Sequence, residues 1–224
     1  MKTSIIIPIL NESKSICKLV EMLKELKGDK EVIFVDGGSK DGTQELIPSN
    51  YIAISSDIGR GIQMNKGAEH ATGDVLLFLH CDSILERNAL KSVQEAIASG
   101  FAAGCFTMKF DKKQWLLSII AYLSNLRVKL FGIIFGDQGM FVRKDIFHST
   151  GGFLYIPIME DMEFSNRLRK AVKIKLLKNT IVTSARRFEK KGILRTILFM
   201  HRMKILYWLG KSPEELYQIY KDVR

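Results

Sequence analysis

Three short acidic clusters hold most of the chemistry this sequence offers. In Val35-Asp36-Gly37-Gly38-Ser39-Lys40-Asp41-Gly42-Thr43, an acidic residue closes an apolar run and is followed by two glycines and a hydroxyl. A carboxylate there accepts hydrogen bonds from a base imide or a ribose hydroxyl, and the glycines let backbone N–H groups approach a ligand. The same residues also suit a plain tight turn that opens a helix, with Ser39 or Asp41 as its cap. In His80-Cys81-Asp82, two metal-ligating types stand two residues apart after the run Val75–Leu79. Alternation along a strand sends both side chains to one face, where a single Mg²⁺ or Mn²⁺ with open positions could take diphosphate oxygens. The competing reading makes Asp82 a helix cap and His80 a satisfied core histidine. In Glu160-Asp161-Met162-Glu163, three carboxylates crowd the start of a predicted helix. One would serve as a general base, or all three simply complement the helix dipole.

These clusters need a scaffold that brings them to one edge. Short β-branched runs at Ser4–Ile9, Glu31–Val35, Tyr51–Ile54 and Val75–Leu79 alternate with helical spacings at Ser13–Leu26, Gly61–Ala71 and Arg87–Ala98. That alternation predicts an α/β fold with a mostly parallel central sheet flanked by helices, whose ligands gather outside the carboxyl ends of the strands. The turns there hold Asn11-Glu12, Asp36–Ser39 and His80–Asp82. The second half is less regular: a strand over Phe101–Phe110, an apolar stretch Trp115–Phe135, a strand near Gly139–Val142 and a helix after Glu160-Asp161. Asn125, Arg127 and Lys129 interrupt the apolar stretch, and such charges are costly at the centre of a bilayer, so a buried or interfacial helix is expected.

With 224 residues, 46% of them hydrophobic, one domain is expected. Residues 1–110 read as a nucleotide-binding half and residues 111–224 as an acceptor-binding half. Three cysteines without a paired-thiol motif, and an opening apolar run too short for a secretory core, predict a reducing, cytoplasmic setting. The net charge of +10 comes from 34 basic against 24 acidic residues, and between Arg167 and Lys204 the bases are dense. Gly192–Leu209 has apolar residues at largely helical spacing with cationic edges, a form that lies in an anionic membrane interface or packs on the sheet with its charges in water. No basic patch interleaved with aromatics and no helix-turn-helix points to nucleic acid.

The order of these motifs resembles family-two glycosyltransferases, which have the A-type glycosyltransferase fold. Ser4–Glu12 is similar to that family's first strand, Val35–Thr43 to its nucleoside-binding turn, and Gly59–Ala68 to its diphosphate-side helix. Asp82 ends a DxD-type motif, and Glu160-Asp161 stands where the catalytic acid pair belongs. Gly136-Asp137-Gln138-Gly139 and Ser184-Ala185-Arg186-Arg187-Phe188 resemble a smaller bacterial and archaeal subgroup. Gly37 replaces the usual second aspartate of the nucleoside turn and His80 the first aspartate of DxD. A histidine ligand would favour Mn²⁺ over Mg²⁺.

The resemblance implies a non-processive, inverting transfer from a nucleoside diphosphate sugar to an acceptor hydroxyl, with Asp161 as the base. Pro8, Glu12, Asp36, Gly38, Ser39, Arg60, Gly61 and Asn65 would face the nucleotide, with Asp36 on the base. Asp82, with His80, would hold the metal. Arg60, Arg186 or Arg187 would add fixed positive charge, while Glu160, Asp137 and Gln138 would hold sugar or acceptor hydroxyls. A lipid-linked acceptor would suit the basic helix and place the chain peripherally at the inner face of a membrane. A nucleotidyltransferase, or a binding module that has lost catalysis, are the rival readings.

Overall fold

The structure, a computed structural model, describes residues 1–223, the side chains of residues 190, 191, 222 and 223 excepted. Lys190 and Lys191 of the basic stretch therefore lie outside the described side chains. In chain order the elements are β1 (Thr3–Ile9), α1 (Ser13–Glu25), β2 (Lys30–Asp36), β3 (Ile52–Ser55), α2 (Arg60–His70), β4 (Val75–Phe78), β5 (Ile84–Leu85) and α3 (Ala89–Ala98). The second half adds β6 (Ala103–Phe110), α4 (Trp115–Phe131), β7 (Met140–Arg143), α5 (Lys144–Ser149), α6 (Glu160–Ala171) and β8 (Ile174–Thr183). Helices α7 (Arg186–Lys191), α8 (Ile193–Trp208) and α9 (Pro213–Val223) follow.

One eight-stranded sheet runs in the order β3-β2-β1-β4-β7-β6-β8-β5. Its first four strands are mutually parallel. Strand β7 enters antiparallel between β4 and β6, β8 lies parallel to β6, and β5 closes the edge antiparallel to β8. The sheet is thus mixed, with its parallel part where the βα repeats are.

Two apolar layers cover the sheet because β1 is hydrophobic on both faces. Ile5, Ile7 and Ile9 join Leu19 and Leu23 of α1 and Leu90 and Val93 of α3 on one side. Ile6 joins Met64 and Ala68 of α2 and Phe164 and Leu168 of α6 on the other. Helix α2 can lie this close because Gly67 faces Ile6 and Val35, where a Cβ would collide with Ile6 and crowd Val35.

Three local expectations are corrected. The turn after Asp36 opens only a 3₁₀ turn, Gln44–Leu46, rather than a crossover helix. Pro48 follows two residues later and cannot continue a helix. Residues 174–183, read for their positive charge, form strand β8, whose lysines disguise its alternation. Finally, strand β4 ends at Phe78, so His80 and Asp82 sit in a turn closed by Ser83 N–H donating to His80 O at 3.1 Å. Strand alternation therefore does not govern their directions. Among the described residues, no helix is long and apolar enough to cross a membrane.

Candidate active site

The carboxyl ends of β1 and β2 are bound into one platform by side chains from the second turn. Asn11 N–H donates to Ser39 Oγ at 2.9 Å, Glu12 N–H to Thr43 Oγ1 at 2.9 Å, and Ser13 N–H to Asp41 Oδ2 at 3.1 Å. Ser39, Asp41 and Thr43 thus satisfy the exposed N–H groups ahead of α1, a helix with no side-chain cap of its own. Asn11 returns the contact by accepting from Lys40 N–H at 2.9 Å, in a left-handed conformation with φ 53°. Gln63, which the sequence reading passed over, donates from Nε2 to both Ile9 O and Val35 O at 2.8 Å.

Asp36 is 3% exposed, and both of its oxygens are engaged in the turn. It accepts from Gly38 N–H at 3.2 Å, from Ser39 N–H at 3.0 Å and Oγ at 2.5 Å, and from Gln44 Nε2. Burial pushes the carboxyl up, but the bonds from Ser39 and Gln44 outweigh it and hold the group ionised, below its usual range. Gly38 has φ 93°, a conformation glycine adopts without strain. Pro8 stands in β1 opposite Val35.

A small cavity opens beside this platform, lined by Arg60, Met64, Phe78, His80, Gly136, Met140, Phe153, Glu160 and Asp161. The acid pair enters from α6, whose first residue follows Met159 in a left-handed conformation with φ 70°. That geometry is uncommon outside glycine and costs about 1–2 kcal/mol, a local strain of the kind that clusters at functional sites. Asp161 Oδ2 accepts from Gly136 N–H at 2.7 Å, and Oδ1 from Met162 N–H at 2.6 Å. Glu160 is buried, with Arg60 Nη1 3.7 Å away. Burial, opposed by Arg60 and reinforced by Asp161, raises its pKa well above the carboxylate range. Glu163 points elsewhere and pairs with Arg167, which also grips Gly152 O at 2.6 Å. The three carboxylates of this helix start are therefore not equivalent.

His80 Nε2 is buried without a hydrogen-bond partner. A Cβ on Gly136 would stand 2.7 Å from it, so only glycine fits there. Burial, with Arg60 and Arg187 nearby, lowers the His80 pKa to about 3 and keeps the ring neutral. Asp82 Oδ2 lies 3.6 Å from Arg186 Nη2, whose other carboxylate is Glu12 Oε1 at 3.3 Å. Burial pushes the Asp82 carboxyl up, with Arg186 opposing and Glu12 adding to the rise. Asp82 thus shares one half-exposed arginine with Glu12, and a hard cation with open positions fits a carboxylate so placed. Among the described residues no three His, Cys, Asp or Glu converge as a closed metal cage.

Gly136–Gln138 forms a 3₁₀ turn. Asp137 Oδ1 is buried without a partner, and burial raises the carboxyl's pKa. Gln138 is fully buried, accepts from Arg127 Nη2 at 2.5 Å and donates to Asn125 Oδ1 at 3.4 Å, so its amide braces the turn from within. Asn65 is likewise engaged within the chain. Its amide is engaged with Phe153, donating to O at 2.7 Å and accepting from N–H at 2.9 Å. Gly61 serves the same loop, since a Cβ there would stand 2.7 Å from Leu154 O.

The reading also missed cations from the second half. Arg127 of α4 stacks 3.6 Å above the Phe135 ring, and Lys204 of α8 lies 5.3 Å from the same ring. Burial lowers the pKa of Arg127, with Asp137 and Asp161 opposing. A lone arginine in the middle of an apolar helix was the available signal, because burying it unpaired is expensive. Arg187 reaches Tyr220 of α9, packing 5.4 Å from its ring.

Comparison with known proteins identifies a family and a fold. A family model described as glycosyl transferase family 2 matches residues 4–151. The PGL/p-HBAD biosynthesis glycosyltransferase of Mycobacterium bovis is 29% identical over 179 residues, covering 73% of this chain and 68% of that protein. The prophage bactoprenol glucosyl transferase homolog of Escherichia coli is 32% identical over 96 residues, 37% of this chain; the match spans only 31% of that relative's length. Mannosyltransferase PcManGT from Pyrobaculum calidifontis, solved with GDP-Man and Mn²⁺, aligns with a TM-score of 0.69 at 18% identity, over 95% of this chain and 66% of that chain. S. aureus TarS 1–349 in complex with UDP aligns at 0.67 and 20% identity, over 82% and 60%. At these identities the structural likeness is one of fold, the α/β A-type glycosyltransferase fold.

Proposed function

The chain belongs to glycosyl transferase family 2, and on that footing we propose that it moves a sugar from a nucleoside diphosphate donor to an acceptor hydroxyl, inverting the anomeric carbon. The observation that carries this reading is the split acid pair at the cavity. Glu160 is sealed against Arg60, while the half-buried Asp161 is held by the Gly136 N–H with oxygen lone pairs left to take a proton. Asp161 accepts the acceptor's hydroxyl proton as that oxygen attacks, and the nucleoside diphosphate leaves. A base so placed contributes about 10²–10⁴-fold.

Asp82, with the partnerless Nε2 of His80, would hold a divalent ion, Mn²⁺ favoured over Mg²⁺ by the imidazole. Such an ion, when bound, supplies positive charge to the leaving diphosphate. Arg60, Arg186 and Arg187 add fixed charge of the same sign. Asp36 shapes the loop that would receive the base, with Pro8, Glu12, Gly38 and Ser39 beside it. Asp137, raised in pKa and lacking a partner, suits a hydroxyl of sugar or acceptor.

A lipid-linked acceptor is supported by the relative named for bactoprenol and by the cationic edge of α8. The chain then works peripherally at the inner face of a membrane. A donor screen with Mn²⁺ tests the whole reading, following release of nucleoside diphosphate from UDP- and GDP-sugars. Release from at least one donor is expected, and silence across the panel, with intact folded protein, refutes it.

A further inference from the structure

Helices α4 and α8 divide their apolar residues between two directions. Inward, Leu117 and Ile120 of α4 meet Ile193, Ile197 and Met200 of α8 around Phe188, so the helices share one small core. Outward, Trp115, Ile119, Leu123 and Leu130 lie along α4, and Leu194, Leu198, Ile205 and Trp208 along α8, all exposed. Spacings of three, four and seven put each set on one helical stripe. Single exposed apolar residues are ordinary, but two such stripes on helices that share a core are the kind of exposure that marks an interaction surface.

The charges around the stripes identify the partner. Residues 112–136 and residues 190–213 contain no Asp or Glu, while Lys113, Lys129, Arg195 and Arg202 are exposed beside the stripes. A second copy of this chain, net charge +10, would set these cations against their own equivalents. An anionic surface with an apolar interior is complementary to both features.

We propose that α4 and α8 together form a docking face for an anionic lipid bilayer, with both helices lying in the interface. The proposal rests on the membrane-side reading above and adds α4 as an equal part of the contact. The inner sides of the same helices carry Arg127 and Lys204 on Phe135, next to the Gly136–Gln138 turn. Docking therefore holds the wall of the site about one helix diameter, roughly 10 Å, from the lipid headgroups.

The chain carries its own reporters. Its two tryptophans are Trp115 and Trp208, one on each helix, 72% and 71% exposed. The variants Trp115→Phe and Trp208→Phe leave a single reporter on α8 and on α4 respectively. With vesicles of phosphatidylcholine and phosphatidylglycerol in low salt, both reporters should shift to the blue and lose access to acrylamide. Pure phosphatidylcholine should give a much weaker response. The double variant Arg195→Gln, Arg202→Gln should bind the anionic vesicles about 25-fold more weakly, roughly fivefold for each cation removed. A shift confined to the α8 reporter overturns the two-helix face while leaving the membrane reading in place, and no shift in either overturns both. Reporters already shielded without vesicles, in a protein that elutes as a dimer, assign the face to a second copy and overturn the proposal.

Discussion

At the scale of single residues, adjacent positions in this site do unlike work. Glu160 faces burial and Arg60, whereas Asp161 is fixed by the backbone of the Gly136 turn, so substitution at each reads out differently. Asp161→Asn keeps the shape but cannot take a proton. Transfer should fall at least about 100-fold while UDP or GDP affinity is unchanged, measured by turnover and calorimetry side by side. Retention of more than about a tenth of the wild-type rate removes Asp161 as the base. Asp82→Ala should act on binding instead. Its carboxylate pairs with the half-exposed Arg186 at 3.6 Å, an ion pair too open to water to hold the fold, so removing it takes away chiefly an oxygen donor. Mn²⁺-dependent nucleotide affinity should drop, and an affinity equal to wild type would show that the ion sits elsewhere. Residue types alone revealed these acids but not their partners. Asn65 and Gln138 carry amides that suit a ligand, yet their bonds to Phe153 and to Arg127 and Asn125 depend on loops far away in sequence.

At the scale of elements, the strands that present the site are fastened at their far ends by one carboxylate. Glu31 at the start of β2 accepts from Ser4 Oγ of β1 at 2.5 Å, from Thr72 N–H at 2.6 Å and Oγ1 at 2.7 Å just before β4, and pairs with Lys2 at 2.8 Å. Burial opposes its ionised form, but the bonds from Lys2, Ser4 and Thr72 win and lower its pKa from 4.5 to about 2. Because the folded pKa is depressed, the stabilisation is complete above about pH 4.5 and disappears as pH falls through 2. Its upper bound is about 3 kcal/mol. Glu31→Gln should therefore be less stable than the parent at pH 7 and lose less between pH 5 and about pH 2, as denaturant titrations at each pH would show. Parallel curves for the two proteins would mean that Glu31 fastens nothing. The βα repeats of the first half were legible because apolar period and glycine stops agree there. Strand β8 was not, because Lys175 and Lys178 interrupt its pattern and its partners β6 and β5 lie far upstream.

At the scale of the whole molecule, the sheet order decides how the chain folds. The boundary expected near residue 110 would divide the sequence by role, with the proposed nucleoside motifs before it and the acid pair after it. The sheet ignores that boundary: β3, β2, β1 and β4 come from the first part, then β7 from the second, β6 from the first, β8 from the second and β5 from the first. Neither part can complete its hydrogen bonding alone, since excising residues 111–223 would strip β6 of both neighbours and β4 of one. A single cooperative unfolding transition is expected, with calorimetric and van't Hoff enthalpies in agreement, and residues 1–110 expressed alone should not fold. Ligand linkage should act on that one transition. A nucleoside diphosphate with Mn²⁺ at 100 times its dissociation constant adds about 2.7 kcal/mol, which for a chain of this size raises Tm by roughly 5–10 °C. Because the proposed site draws on turns after β1, β2 and β4 and on the acid pair of α6, all parts should melt later together. Two resolved transitions, with only one moved by nucleotide, would instead mean that the interleaved strands are not the cooperative unit.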